Sequence, residues 1–495
     1  MKKRRWIVLA LCAATLLSCV SCAGGGDPEA PDAESSSIGE HETEPEAWIQ
    51  DKVPDLNFNK DTYTVLNHNA KDSAPAASTG EILPDALLER DLYVENRFNV
   101  SIEYNTLNGS SNVIAQVQNT VSSGLDEYQQ VCLNMVFGTS GLAMAGYVMN
   151  LHELEYFDNE QPWWDEDATK AFQIGETLYM IGGDVLPSSI LSTQAIIFNK
   201  TKMTEQNMAF PYQLAKDGEW TIQNMIEMTQ NQTRDLNGDG KIDTDHDFYG
   251  FTSWHLDSPH AFFYGTGCSV FSKDENNVPY YDADAQRIED IYTKVYELFV
   301  TNESYYETDV SKSRVPFEVF RDGRSLFLQG ALSNAASPDF KAMEDEYGLL
   351  PQPKYQATDE YKSFVNGGSA MLCVPTTVQD TAFVGAVLEG LANASYNMVR
   401  DELIETLCKS RNAPDPESAE MVDIIINGRT FDFGYIHYFP SSHSAAIMFQ
   451  SALDKKQSAV GRFLARCNDR NLQSKLTEFL KAYGVEESIK ADHKP

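Results

Sequence analysis

Hydrophobic and polar positions along the chain follow two periods, one near two residues and one near 3.6. Thr62-Tyr63-Thr64-Val65-Leu66 is rich in β-branched and aromatic residues and predicts a strand; Pro84 to Arg97 then predicts a helix. Val100 to Tyr104 predicts a second strand, Val113 to Val121 a helix and Gln130 to Met135 a third strand. Strand, helix, strand, helix in this order implies right-handed crossovers and a parallel sheet, so the N-terminal third predicts an α/β lobe. Further on, Thr177 to Ile181 and Ala195 to Phe198 predict strands. Trp220-Thr221 opens a helix with Thr221 as N-cap and Ile222, Met225 and Ile226 on its core face. Ile288, Ile291, Tyr292, Val295 and Leu298 form one apolar stripe at helical spacing. Short strands are predicted at Leu326 to Leu328 and Tyr347 to Leu350, and a helix through Val384, Val387, Leu388 and Leu391. Leu472, Leu476, Phe479, Leu480 and Tyr483 mark a closing helix with Gly484 as its stop. Strands that resume this late predict two lobes joined by several crossings.

The first residues stand apart from this pattern. Lys2 to Arg5 are cationic, and Ile7 to Leu17 form an apolar stretch of 11 residues. At about 1.5 Å rise per residue such a stretch is too short to cross a hydrocarbon layer roughly 30 Å thick, so it predicts an export signal. Leu16-Leu17-Ser18-Cys19 resembles the lipobox of bacterial lipoproteins, in which the cysteine is lipidated and becomes the mature N-terminus. Cys19 fits best, with Leu three positions before it; Cys22 is the other register, and an ordinary secretory peptide is the plainer alternative.

Charge sorts the remaining classes. The 495 residues carry 38 Lys and Arg against 73 Asp and Glu, a net charge of −35. That field has the wrong sign for phosphate contacts and excludes a nucleic-acid binder working through bulk charge. Eight acidic residues and no Lys or Arg lie between Asp27 and Glu46, which predicts an extended acidic tether after the leader. An acidic folded body suits neutral or cationic ligands. Cys132, Cys268, Cys373, Cys408 and Cys467 are odd in number and contain no CxxC, so they predict buried apolar side chains rather than a disulfide framework.

Six strings carry a family likeness: ERDLYVENRFNVSIEY (89–104), GYVMNLHELEYFDNEQPWWDEDA (146–168), GETLYMIGGD (175–184), PYQLAKDGEWTIQNMIEMTQ (211–230), YGLLPQPKY (347–355) and NGGSAMLCVP (366–375). In this order, over roughly residues 60 to 400, they resemble the extracellular solute-binding lipoproteins of bacterial ABC importers, of the carbohydrate-binding family 1 type. The resemblance implies an α/β, two-lobed periplasmic-binding-protein-like fold with a hinge and an interlobe ligand cleft. The organisation expected is a signal peptide (1–18), an acidic tether (19–56), a first lobe (57–185 plus about 310–375) and a helix-rich second lobe (186–309 plus about 376–490). It also implies a monomeric receptor, anchored to the outer face of the cytoplasmic membrane by its lipid alone. Such a receptor would capture a sugar or oligosaccharide and deliver it to the permease subunits of an ABC transporter.

Sugars bind by stacking their C–H faces on aromatic rings while planar polar side chains hydrogen-bond the hydroxyls. The candidates are Asn67 and His68 after the first strand, Asn134 after the third, Trp163, Trp164, Asp184, Trp254 and the Asn366-Gly367-Gly368 turn. Each Trp is equally a candidate core residue, and Trp220, at a helix entry, reads as structural.

The clearest chemical motif is DLNGDGKIDTDHD, Asp235 to Asp247. Asp235, Asn237, Asp239, the Lys241 carbonyl and Asp243, with Gly240 at the sharp turn, follow the spacing of a Ca²⁺ loop. Position 12 is His246 rather than Glu, so Asp245, Asp247 or a distant carboxylate would have to complete the shell around a structural Ca²⁺; the alternative is an acidic Asx-type turn without a cation.

A lipid-anchored glycoside hydrolase, with Asp165-Glu166 or with Asp257 near His255 and His260 as acid and base, is an alternative, as is a passive glycan-docking protein. No GxxxxGKS, HExxH or GxSxG supports catalysis.

Overall fold

The parallel unit predicted at the N-terminus forms around two largely buried inner strands, with the third at the more exposed edge of the sheet. In the computed structural model, which describes residues 48–136, 138–408, 416–438, 444–461 and 470–485, β1 (Thr62–Asn67), β2 (Ser101–Thr106) and β3 (Gln130–Asn134) follow one another with helices Ile82–Phe98 and Ser110–Ser122 between them. Ile49 onward constitutes a single compact unit. The leader, both candidate lipidation cysteines, most of the acidic tether, Cys467 and the side chain of Cys408 lie outside the described residues.

Two sheets organise the body. The first has the order β12-β3-β1-β2, with β1 parallel to β2 and β3 and with β12 (Ala370–Cys373) antiparallel to β3. The second has the order β10-β4-β9-β5-β8, from β4 (Gln194–Asn199), β5 (Tyr249–Trp254), β8 (Tyr305–Glu307), β9 (Ser325–Ala331) and β10 (Tyr347–Leu350). There β5, β8 and β9 run parallel, while β4 is antiparallel to β9 and to β10. A hairpin of β6 (Phe271–Lys273) and β7 (Pro279–Tyr281) stands outside both sheets.

The passes between sheets run side by side. Thr193, entering β4, bridges Val365, and the Asn366 N–H donates to the Ser192 carbonyl at 3.2 Å. Just before, β11 (Ser363–Phe364) pairs with β13 (Arg429–Thr430). Adjacent crossing segments of this kind are where two lobes can hinge.

Local expectations held where the sequence pattern was strong. Helix Ile222–Thr229 begins at a capping box: the Thr221 hydroxyl accepts the Asn224 N–H, and the Asn224 Oδ1 accepts the Thr221 N–H at 2.9 Å. Cys132, Cys268 and Cys373 are buried and free. Three expectations are corrected. Residues 177–181 form no sheet strand; Ile181 makes an isolated bridge to Leu372 beside the first sheet. Strands β9 and β10, expected in the first lobe, belong to the five-stranded sheet. Conversely, helix Thr381–Ala394, expected in the second, packs on helix Ile82–Phe98, where Gly390 leaves room for the Phe98 ring. The strands concerned are buried along their whole length, so their pattern carries no record of which sheet they join. Among the described residues no helix is long and apolar enough to cross a membrane.

Candidate functional site

In the first sheet β1 lies centrally: the chain crosses from β1 out to β2, then back past β1 to β3. The crevice beyond the C-terminal ends of β1 and β3 is therefore the topological switch point, where α/β sheets bind ligands. Register brings the predicted polar residues there. Asn67 ends β1 and faces Cys132 across the ladder, Asn134 ends β3 opposite Ala370, and the Asn366-Gly367-Gly368 turn feeds β12 from the same end. Asn67 Nδ2 donates to the Ser73 hydroxyl at 2.8 Å, and its Oδ1 is buried without a partner. Asn134 donates its backbone N–H to the Ser110 hydroxyl at 3.2 Å.

His68 is held neutral. Its Nδ1 lies 3.3 Å from the Cys132 carbonyl and its Nε2 is 2.6 Å from Asn69 Nδ2, so Nδ1 carries the proton and Nε2 accepts. Burial lowers its pKa further. In the turn, Asn366 Oδ1 accepts the Gly368 N–H at 2.9 Å, and the Gly367 N–H donates to the Tyr435 hydroxyl at 2.9 Å. A Cβ on Gly367 would lie 2.4 Å from Val136 Cγ2, so only glycine allows this approach.

The second sheet presents its own C-terminal ends, at Trp254, Glu307 and Ala331. Trp254 closes β5, and its ring meets His255 edge-on. His255 Nδ1 is 3.6 Å from Asp454 Oδ2 and 3.3 Å from Gln450 Nε2. Helix Ser258–Gly265 follows, and His260 packs edge-on against Tyr435 and Phe364. Tyr435 thus touches the turn of the first sheet and the helix of the second, while Asp257 lies close enough to raise the Tyr435 pKa. The sequence offers Asp257, His255 and His260 as near neighbours but gives no signal for Tyr435, Gln450 and Asp454, whose approach is non-local.

Three expected ligand residues sit elsewhere. Trp163 and Trp164 are 1% and 4% exposed, too enclosed to offer a stacking face. Both indole N–H groups donate to Glu389, at 2.6 and 3.0 Å. Asp184 is buried 3.5 Å from Arg400 Nη1, and burial raises its pKa. Near it Arg429 Nη2 pairs with Asp165 Oδ2 at 2.8 Å, and Asp165 also caps helix Glu166–Phe172. These groups brace the crossing segments.

The acidic loop closes on itself. Asp235 accepts the N–H groups of Gly238 and Gly240 at 2.6 and 2.8 Å, Asn237 that of Asp239, and Asp239 that of Lys241. Asp247 is 0% exposed and accepts from Leu236 and Asp243, both at 2.8 Å. The donor chemistry of Asp235, Asn237, Asp239, Asp243 and the Lys241 carbonyl suits a hard cation. The closing position, however, is His246, which pairs with Asp243, and Asp247 is turned to main-chain N–H groups. Among the described residues no three acidic, His or Cys side chains are gathered as a metal cage.

No protein-family model matches the chain, and no curated protein matches it in sequence. Solved structures do. A cyclo/maltodextrin-binding protein complexed with maltotetraose superposes with TM-score 0.54 at 13% identity, over 88% of this chain and 99% of that one. The GacH receptor of Streptomyces glaucescens, studied with acarbose, gives 0.53 at 14% identity over 84% and 98%. A family 1 extracellular solute-binding protein from Bifidobacterium longum subsp. infantis gives 0.51 at 12% identity over 82% and 100%. These likenesses establish the fold: the chain has the two-lobed α/β architecture of periplasmic-type binding proteins.

Proposed function

We propose that this chain is an exported receptor that captures a sugar or oligosaccharide between its lobes and hands it to the permease of an ABC transporter. The observation that carries the reading is the convergence of Asn67, His68, Asn134 and the Asn366-Gly367-Gly368 turn at the switch point of the first sheet, with Trp254 at the matching end of the second. Hydrogen-bonding amides, a neutral imidazole and an indole are the side chains that sugar hydroxyls and C–H faces require. The sugar-binding proteins that share the fold support the same ligand class. The export signal and the cysteine at position 19, or 22, support a lipid-anchored receptor at the outer face of the membrane, acting as a monomer. The test is a sugar panel read by calorimetry and melting temperature: a ligand should stabilise the protein by mass action and remain chemically unchanged. Conversion of that ligand to product would replace the receptor reading with a hydrolase. A structural Ca²⁺ at Asp235, Asn237, Asp239, Lys241 and Asp243, with Asp247 framing the loop, is part of the proposal and is supported by spacing.

A further inference from the structure

Among the described residues the buried carboxylates are all partnered, whereas that of half-buried Asp257 is not. Glu389 accepts three N–H groups, Asp72 the N–H and hydroxyl of Ser188, Asp247 two N–H groups, Asp165 the Arg429 guanidinium, and Glu307 the Tyr305 hydroxyl. The Asp257 carboxylate stands at the mouth of helix Ser258–Gly265 yet makes no capping hydrogen bond, and it has no ion pair or side-chain hydrogen bond among the described residues. It is half-buried, at the C-terminal end of β5, three residues after Trp254. The titratable groups that act on it are His255 from the strand side and Tyr435 from helix Phe433–Tyr438. Neither is a Lys or Arg. Beside it, Trp254 Nε1 and His255 Nε2 are buried without acceptors.

A poorly solvated carboxylate that the fold leaves unsatisfied costs folding free energy, and such costs persist where a ligand supplies the missing partners. Burial accordingly pushes the Asp257 carboxyl up to about 6, which leaves it mostly ionised at neutral pH. From its position three residues after the end of β5 and close to Tyr435 we infer that Asp257 is a specificity-determining residue of the sugar cleft, accepting hydrogen bonds from two hydroxyls or an ammonium group and rejecting uronic acids. The inference rests on the receptor reading above. A carboxylate accepts from a vicinal diol or an amino sugar alike, whereas a second carboxylate opposite it would be repelled with no Lys or Arg to offset the charge.

The test uses the mature chain and four probes: maltotetraose, mannobiose, a chitosan tetramer and tetragalacturonate. Wild type should bind a neutral or amino probe and not the uronate. Asp257→Asn should weaken that binding by about tenfold or more, since hydrogen bonds to charged groups exceed neutral ones by that order. The same variant should melt at a higher temperature than wild type without ligand, because the unpaired charge is gone. Unchanged affinity in Asp257→Asn, or preferential binding of tetragalacturonate by wild type, would overturn the role of Asp257 and leave the receptor intact. If wild type bound none of the four, the receptor reading would fall and the specificity assignment with it.

Discussion

The carboxylate of Glu389, on a buried helix of the first lobe, accepts the indole N–H of Trp163 at 2.6 Å. The same carboxylate accepts the Trp164 indole at 3.0 Å and the Asp158 main-chain N–H at 2.7 Å. One side chain thus satisfies three donors at the base of the loop that leads into helix Glu166–Phe172. Glu389→Ala leaves all three without an acceptor, at about 1–3 kcal/mol for each buried donor. Chemical denaturation should show a loss of at least about 3 kcal/mol; a loss below about 1 kcal/mol would mean that the indoles have other acceptors.

His260 sets a pH dependence with a definite sign. Burial lowers its pKa to about 4, against an ordinary value of 6.5, so the folded state favours the neutral ring. A depressed histidine contributes stability that is fully present above 6.5 and is lost as the pH falls toward 4, an effect on the order of 3 kcal/mol. Glu389, which burial pushes up to about 7, acts in the opposite direction: its contribution is largest in acid and is lost as the pH rises through 7. The readout is therefore the difference between wild type and His260→Phe, whose ring suits the Phe364 and Tyr435 neighbours. The variant should lose less stability than wild type between pH 6.5 and 4; parallel curves would count against a buried neutral His260.

Gly367 should tolerate no side chain. A Cβ there would meet Val136 at 2.4 Å and the Tyr435 hydroxyl at 2.8 Å, and would push apart the contact that joins the turn to the second lobe. Gly367→Ala should cost about 1–3 kcal/mol and weaken sugar binding. Gly368→Ala is the control, because its Cβ meets only Asn366 Oδ1, at 3.1 Å. Equal melting temperatures and affinities for the two variants would show that the Gly367–Tyr435 contact is dispensable.

Many of the individual elements were legible because their information is local. The alternation through Tyr63, Val65 and Leu66, the apolar spacing of Val113 and Val117, and the Thr221 cap each place an element without reference to distant chain. What sequence could not convey was pairing. β9 reads like any buried strand, yet it lies between β4 and β5, and nothing near Leu326 encodes that choice. The site divided in the same way. Asn67 and Asn134 could be placed at strand ends because those ends can be located from a pattern; the enclosure of Trp163 and Trp164 was not legible because their partner, Glu389, is more than 200 residues away. Asp257 was legible only as an acid close to two histidines in sequence, since an absent partner is visible only in three dimensions.

The acidic loop separates two roles that its sequence runs together. Asp247 is buried and ties the two ends of the loop by accepting from Leu236 and Asp243, so it is a frame residue whether or not a cation binds. Asp235 is half-buried and Asp239 exposed, and a divalent ion would relieve their mutual repulsion with Asp243 and Asp245. Asp247→Asn should therefore destabilise the protein equally with and without chelator. Asp239→Ala should leave the chelated protein unchanged and remove any extra stability that Ca²⁺ would confer on wild type. Melting temperatures in Ca²⁺ and in EGTA measure both. If wild type melts at one temperature in both buffers, the loop is an acidic turn held by its own main-chain N–H groups, and His246 at the closing position is the reason that no cation stays.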